Sequence, residues 1–173
     1  MRYFIITQDT SVPYPIQYRD FDIKGGRHLF LKEDAERLSD RTVLYLSGTG
    51  KEARLDFIQR PVTMFSEQFQ DILEAYEPGL IFKEVLLIHK ENALSYRYVH
   101  TLMDSIDSLS PRTEFYPSGM EKRLVLDGRK VTGHHLFLME GNRRRDPVVS
   151  LPLAESLLRR NCMGICFEEV EVE

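Results

Sequence analysis

Two cysteines in 173 residues are too few for a disulfide framework, and Cys162 and Cys166 would have to close a very small loop to pair with each other. That scarcity points to a reduced, cytoplasmic setting. Positive charge is not in excess, because 23 Lys and Arg against 27 Asp and Glu leave a formal net charge of -4. A nucleic-acid binder usually presents a basic face, so this balance argues against one. No apolar run of membrane-spanning length opens the chain. MRYFIITQD is interrupted at once by polar residues and has no small-residue cleavage site, so it reads as a first strand, with neither signal peptide nor membrane span. No low-complexity linker divides the sequence, and residues 1–173 read as one globular domain. The hydrophobic fraction of 42% and charged fraction of 29% suit a soluble domain with a proper core.

Recognisable catalytic patterns are missing as well. Ser47-Gly48-Thr49-Gly50-Lys51 approaches a phosphate loop, but the full glycine and lysine spacing is absent and no strong helix follows, so a hairpin turn accounts for it. Gly25-Gly26 gives a flexible bend. His28, His89 and His100 are isolated, while His134 and His135 are adjacent in an expected strand and point to opposite faces, which leaves no metal-ligand set. Carboxylate pairs such as Asp104 with Asp107 and Asp20 with Asp22 come without a Ser-His-Asp order or a glycine elbow. Cys166 alternates with Ile165 and Phe167 and is assigned to the core. The helix end facing the thiols is the negative one, which raises a thiol pKa and opposes reactivity. No catalytic, cofactor-binding or metal-binding residue is nominated.

What the chain does contain is a segment written twice. Residues 61–85 and 147–170 both begin Pro-Val, run through an amphipathic stretch, meet a Gly and finish in Gly-(Leu/Ile)-x-Phe-x-Glu-Val. Pro61 thus aligns with Pro147, Gly79 with Gly164, and Phe82 with Phe167. The first copy carries Phe65, Phe69, Ile72, Leu73 and Tyr76 on one helical stripe, with Ser66 or Thr63 as N-cap and Glu77-Pro78-Gly79 as the stop. The second has Ser150 at the N-cap, Pro152 in the first turn, Glu155 early and Arg159 and Arg160 late, a charge order that complements the helix dipole. Asn161 and Gly164 end it.

Strands are expected over residues 3–7, 28–31, 43–46, 54–58, 80–89, 96–102, 123–126 and 134–139. The Ser-Gly-Thr-Gly turn makes a hairpin of 43–46 and 54–58, and Asp127-Gly128-Arg129-Lys130 makes another of 123–126 and 134–139. The expected fold is therefore α+β, mainly antiparallel strands with two principal helices, arranged as two related hairpin-helix-strand lobes over about 41–90 and 123–173. Connections richest in turn formers are 10–26, 105–119 and 141–146.

Two charged features invite a partner. The C-terminal Glu168-Glu169-Val170-Glu171-Val172-Glu173 reads as an alternating acidic strand that either meets a basic surface or protects a sheet edge by charge. Arg143, Arg144 and Arg145 form an exposed basic loop suited to an acidic patch. Aromatic contacts are nominated at Tyr14, Tyr18 and Phe21 in the first long loop. A competing reading assembles a small-ligand or enzymatic site from His134, His135, Asp127 and Arg129 around the 123–139 hairpin.

Gly133-His134-His135-Leu136-Phe137 after Leu124-Val125-Leu126-Asp127, followed by Val148-Val149-Ser150, Leu153-Ala154-Glu155 and Gly164-Ile165-Cys166-Phe167, resembles the C-terminal half of immunity protein family eleven. That family was earlier catalogued as a domain of unknown function. Phe65-Ser66-Glu67-Gln68-Phe69 and Tyr96-Arg97-Tyr98 are similar to its middle section, so the resemblance covers roughly residues 60–170. It implies a protein that protects a bacterium by binding the cognate toxin of a polymorphic toxin system, without catalysis or cofactor. The resemblance transfers no site residue and leaves the oligomeric state open. An acidic inhibitor would be steered toward a basic toxin surface.

Overall fold

The structure, a computed structural model, describes residues 1–12, 16–18, 31–47, 52–60, 62–142 and 145–173. One six-stranded sheet is built from β1 (Tyr3–Gln8), β8 (Ser105–Ile106), β11 (Val125–Leu126), β12 (Leu136–Met139), β13 (Pro147–Ser150) and β14 (Ile165–Val172), in the order β11-β14-β1-β13-β12-β8. A second contains β2 (Gln17–Tyr18), β3 (Arg41–Ser47), β4 (Phe57–Ile58), β5 (Met64–Ser66), β6 (Ile81–His89) and β7 (Leu94–Leu102), in the order β2-β3-β6-β7-β5-β4. A separate two-stranded ribbon pairs β9 (Glu114–Phe115) with β10 (Glu121–Arg123). Among the described residues, eight strand pairings are antiparallel and three parallel.

The helices are α1 (Gln70–Tyr76), entered through a 3-10 turn at Glu67–Phe69, the four-residue α2 (Gly128–Val131) and α3 (Leu151–Arg159). α3 begins as its sequence dictates. Ser150 Oγ accepts from the Leu153 N–H at 3.5 Å, Pro152 sits in the first turn, and Arg159 reaches Glu155 at 3.2 Å. Ser66 precedes the first helix but makes no side-chain cap; instead its hydroxyl accepts from Arg54. A further 3-10 turn spans Lys32–Arg37.

Both sheets repeat one series of strand directions. β3 runs parallel to β6, which is antiparallel to β7, then β5, then β4; likewise β11 runs parallel to β14, then β1, β13 and β12 follow antiparallel. In each sheet one helix joins the two strands that flank the central one: α1 links β5 to β6 around β7, and α3 links β13 to β14 around β1.

Neither expected hairpin forms. β3 and β4 are separated by β6, β7 and β5, and the centre of that sheet is taken by the β6–β7 hairpin, paired from Ile81 opposite Leu102 to His89 opposite Leu94. β11 and β12 are separated by β14, β1 and β13. Asp127-Gly128 can serve as a hairpin turn or as a helix start, and here Asp127 Oδ1 accepts from the Arg129 N–H at 3.0 Å, capping α2. The hairpin-helix-strand unit is thus replaced by strand-helix-strand units. The Ser-Gly-Thr-Gly turn beyond Ser47, Gly25-Gly26, Pro61 and all of the expected 28–31 strand except Leu31 lie outside the described residues.

Burial follows the alternation of side chains across each sheet. Ile6, Leu136, Leu138 and Val149 of the first sheet meet Phe57, Phe65 and Val99 of the second, with Phe69 and Leu73 near and within α1 and Leu153, Ala154 and Leu157 of α3 packed between. The intervening residues form two flanking clusters: Leu44, Leu46, Val85, Leu87 and Tyr98 on one sheet, and Tyr3, Ile5, Phe137, Met139, Val148 and Val170 on the other. Each fully buried apolar side chain of this kind contributes about 1.5–3 kcal/mol.

Candidate functional site

The acidic terminal strand is internal only at its C-terminal end. β14 pairs with β1 over Ile165–Val170, while β11 covers only Glu171 and Val172 on its other side, so edge protection by charge still applies at Glu168 and Glu169 but not at Glu171. Alternation puts Glu169 and Glu171 on the side of Ile165 and Phe167, which pack on the shared core. Past the end of that core each meets an arginine: Glu169 takes two bonds from Arg2 at 2.5 and 2.6 Å, Glu171 meets Arg123 at 2.8 Å, and Glu173 at the chain end meets Arg112 at 2.9 Å. Ser110 Oγ also donates to Glu173. The bonds from Arg2, and from Ser110 and Arg112, hold the Glu169 and Glu173 carboxyls below the usual carboxylate range. Three of the four nominated glutamates are therefore compensated within the chain.

Glu168 leaves the opposite face. It lines a shallow depression of about 150 Å³ together with Ile5, Glu121, Lys122, Leu124, Asn142 and Asp146. Asn142 and Asp146 bracket the basic loop, so the structure brings Glu168 and the base of that loop to one place. Arg143 and Arg144 lie outside the described residues. Arg145 has φ +53° and its N–H donates to Asn142 Oδ1 at 3.2 Å. Asp146 is buried and accepts from Gln59 at 2.5 Å, while the Gln59 and Gln8 main-chain N–H groups each donate to the other's side chain. This loop base is anchored to the opposite sheet. Of the nominated aromatics, Tyr14 and Phe21 lie outside the described residues, and Tyr18 ends the edge strand β2 opposite Leu46.

The nominated histidines serve packing. Both precede β12, outside the strand assigned to them, and they meet the end of α1. The buried Glu77 carboxylate accepts from the main-chain N–H groups of His135 at 2.5 Å and Leu136 at 3.2 Å, with His134 Nδ1 at 3.3 Å. His135 Nδ1 lies 2.7 Å from Ser150 Oγ, and its ring stands edge-on to Tyr76 at 5.4 Å. Asp127 and Arg129 do not join this cluster, since Asp127 caps α2 and the Arg129 guanidinium pairs with it in solvent. The four residues of the competing ligand site are thus split between a clasp and a helix cap. Among the described residues, no group of three or more His, Cys, Asp or Glu is placed to hold a metal ion, and no helix is long and apolar enough to cross a membrane.

The core thiol is Cys162, and the expected core placement of Cys166 is overturned. Cys162 joins the shared core, where burial and then the nearby Asp56 charge push its thiol up to about 12. Cys166 is exposed, because alternation from the core-facing Ile165 and Phe167 turns it outward.

A feature the sequence hid is the β9–β10 ribbon: β9 and the turn lie in the connection assigned to 105–119, and β10 begins at Glu121, ahead of the strand expected over 123–126. Its tip exposes Phe115, Tyr116 and Met120. Tyr116-Pro117-Ser118-Gly119 closes on the Gly119 N–H to Tyr116 carbonyl bond at 2.8 Å; Gly119 has φ +79°, and the Tyr116 N–H donates to the Met120 carbonyl at 2.8 Å. Proline in the turn followed by a left-handed glycine is the signal that marks such a hairpin.

These features define an α+β protein with a layered body, a terminal strand whose Glu169, Glu171 and Glu173 pair with arginines, and a two-stranded ribbon with an exposed apolar tip. The chain belongs to the immunity protein family (Imm11), whose model matches residues 7–172. The match takes in the N-terminal segment that resembled the family least. No curated protein matches the chain.

Proposed function

We propose that this protein is a non-catalytic inhibitor that binds and neutralises a cognate bacterial toxin of a polymorphic toxin system, acting in the cytoplasm. The observation that carries this reading is the family match, which spans nearly the whole chain. The engagement of His134, His135 and Asp127 in structural bonds is consistent with it. An immunity gene must travel with its toxin, because a cell inheriting the toxin alone dies, so the neighbouring gene supplies the candidate partner. Expressing that gene's toxic domain in a bacterial host should arrest growth, and co-expressing this chain should relieve the arrest through a stable complex recovered from the cells. Arrest that persists despite abundant folded chain would refute the proposal. Of the nominated contacts, Glu168 remains one in this reading, while Glu169, Glu171 and Glu173 act first as partners of Arg2, Arg123 and Arg112.

A further inference from the structure

We propose that the open edge of β14 over Ile165–Glu169 takes up an extended, basic segment of the protein partner as an added strand, with a lysine or arginine of that segment set against Glu168. This rests on the inhibitor reading above. On one side β14 is paired with β1 from Ile165 to Val170, and the Asp9 N–H continues that side by donating to the Gly164 carbonyl at 2.9 Å. Backbone groups alternate along a strand, so those of the even-numbered residues face β1 and those of the odd-numbered residues face away from it.

Both ends of the outward side are occupied. The Met163 carbonyl accepts from the Asp56 and Phe57 N–H groups at 2.8 and 3.3 Å. At the other end the Glu173 N–H donates to the Leu126 carbonyl at 3.0 Å, and its carbonyl accepts from the Gly128 N–H at 2.8 Å. Between them the outward N–H and C=O groups of Ile165, Phe167 and Glu169 have no backbone partner among the described residues. Five residues of strand span about 17 Å, so the gap matches a segment of ordinary strand length. Another strand satisfies such an edge most completely, because it supplies a donor and an acceptor at alternate residues.

Charge selects the strand. Glu168 projects on the face opposite Ile165 and Phe167, and no described residue pairs with its carboxylate. It lines the depression with Glu121, whose Oε1 is buried without a hydrogen-bond partner. Lys122 lines it too, but its ammonium is held by Glu114 at 2.8 Å. Negative charge is thus left uncompensated beside open backbone, where a side chain of the incoming strand stands directly opposite Glu168. A second copy of this chain would bring its own Glu168 and Glu169 to the same edge, and like charges oppose that pairing. The carboxylates that keep the edge from pairing with itself therefore admit a cationic strand.

The test is amide hydrogen exchange of the isotope-labelled full chain, read by NMR, free and bound to the purified toxin domain from the neighbouring gene. In the free chain the Phe167 and Glu169 amides should exchange fast, while the Glu168 and Val170 amides, turned to β1, should be protected. On binding, Phe167 and Glu169 should slow about 100-fold or more. Calorimetric titration reads the charge: Glu168→Lys should weaken binding about tenfold or more, and Glu36→Lys, an exposed charge reversal on the Lys32–Arg37 turn, less than about threefold. Both positions are exposed, so urea midpoints should match wild type. A complex in which the two amides exchange within about threefold of their free rates overturns the added strand and leaves the inhibitor reading standing. Glu168→Lys binding within about threefold of wild type, or Glu36→Lys weakening it equally, overturns the contact at Glu168. Protection of both amides in the free chain that is lost on dilution assigns the edge to a second copy and overturns the partner strand. A wild-type chain that does not bind removes the inhibitor reading and this proposal together.

Discussion

Glu77→Ala should be among the most damaging single substitutions at a buried charged position of this protein. Glu77 is the C-cap of α1, which belongs to the sheet containing β5–β7, and its carboxylate is bonded to the entrance of β12 in the other sheet. Removing it leaves the part-buried N–H of His135 and the buried N–H of Leu136 without this acceptor. Each such orphan costs about 1–3 kcal/mol, so the loss should be about 2–5 kcal/mol. For a chain of this length that corresponds to a fall in Tm of about 5–15 °C. Glu77→Gln keeps one carbonyl oxygen for the N–H groups and should lose about half as much. Urea unfolding followed by circular dichroism provides the assay, with the midpoint falling and the slope unchanged if the molecule still unfolds as one unit. A loss below about 1 kcal/mol for the alanine variant would refute the clasp, because the two N–H groups must then find other acceptors at little cost.

Gly164→Ala should destabilise by about 2–3 kcal/mol in the same assay, since its φ is +80° and a Cβ would come 2.7 Å from Leu55 Cδ2; an unchanged midpoint would contradict this. Iodoacetamide on the native protein should label Cys166 and spare Cys162 until urea is added, read by peptide mass spectrometry. Equal labelling of both would show that the core is open. Glu114, Asp127, Glu169 and Glu173 all have carboxyls held below their ordinary values, by Lys122, by the Arg129 N–H, by Arg2, and by Ser110 with Arg112 respectively. Groups with depressed folded pKa values stabilise above the unfolded pKa and lose that contribution as pH falls, so the urea midpoint should hold from about pH 7 to 5 and drop as pH passes below about 4. A midpoint that rises on acidification would reverse the sign.

Local signals were legible where one chemistry had one outcome. Ser150, Pro152 and Glu155 announced α3, and Glu77-Pro78-Gly79 announced the end of α1, with Gly79 at φ +92°. They misled where one sequence admits two outcomes, as at Asp127-Gly128. Both strands of the β6–β7 hairpin were legible but their pairing was not, because the turn over residues 90–93 contains neither Gly nor Pro and places Ala93 at φ +53°. The acidic strand was legible as charge, but its compensation was not. Arg2, Arg112 and Arg123 are distant in sequence, and only the sheet brings them to Glu169, Glu173 and Glu171.

The same limit explains why the two written segments did not mark the lobes. Gly79 and Gly164 do occupy corresponding places, each lying with positive φ between the joining helix and the second of the two strands beside a central antiparallel strand. In one sheet that central strand is β7, which follows β6 directly. In the other it is β1 from the start of the chain, with Tyr3 opposite Ser150 on one side and Val170 on the other. Residues 123–173 therefore hold the helix and both flanking strands but lack the strand that pairs them. Without β1, β13 and β14 would each present unpaired backbone and Val148, Val149 and Val170 would lose a neighbour, a cost that backbone hydrogen bonding and apolar burial both oppose. The N-terminal strand thus ties the ends of the chain into one layer, and the interlocking of the sheets follows from strand pairing across the full length of the sequence.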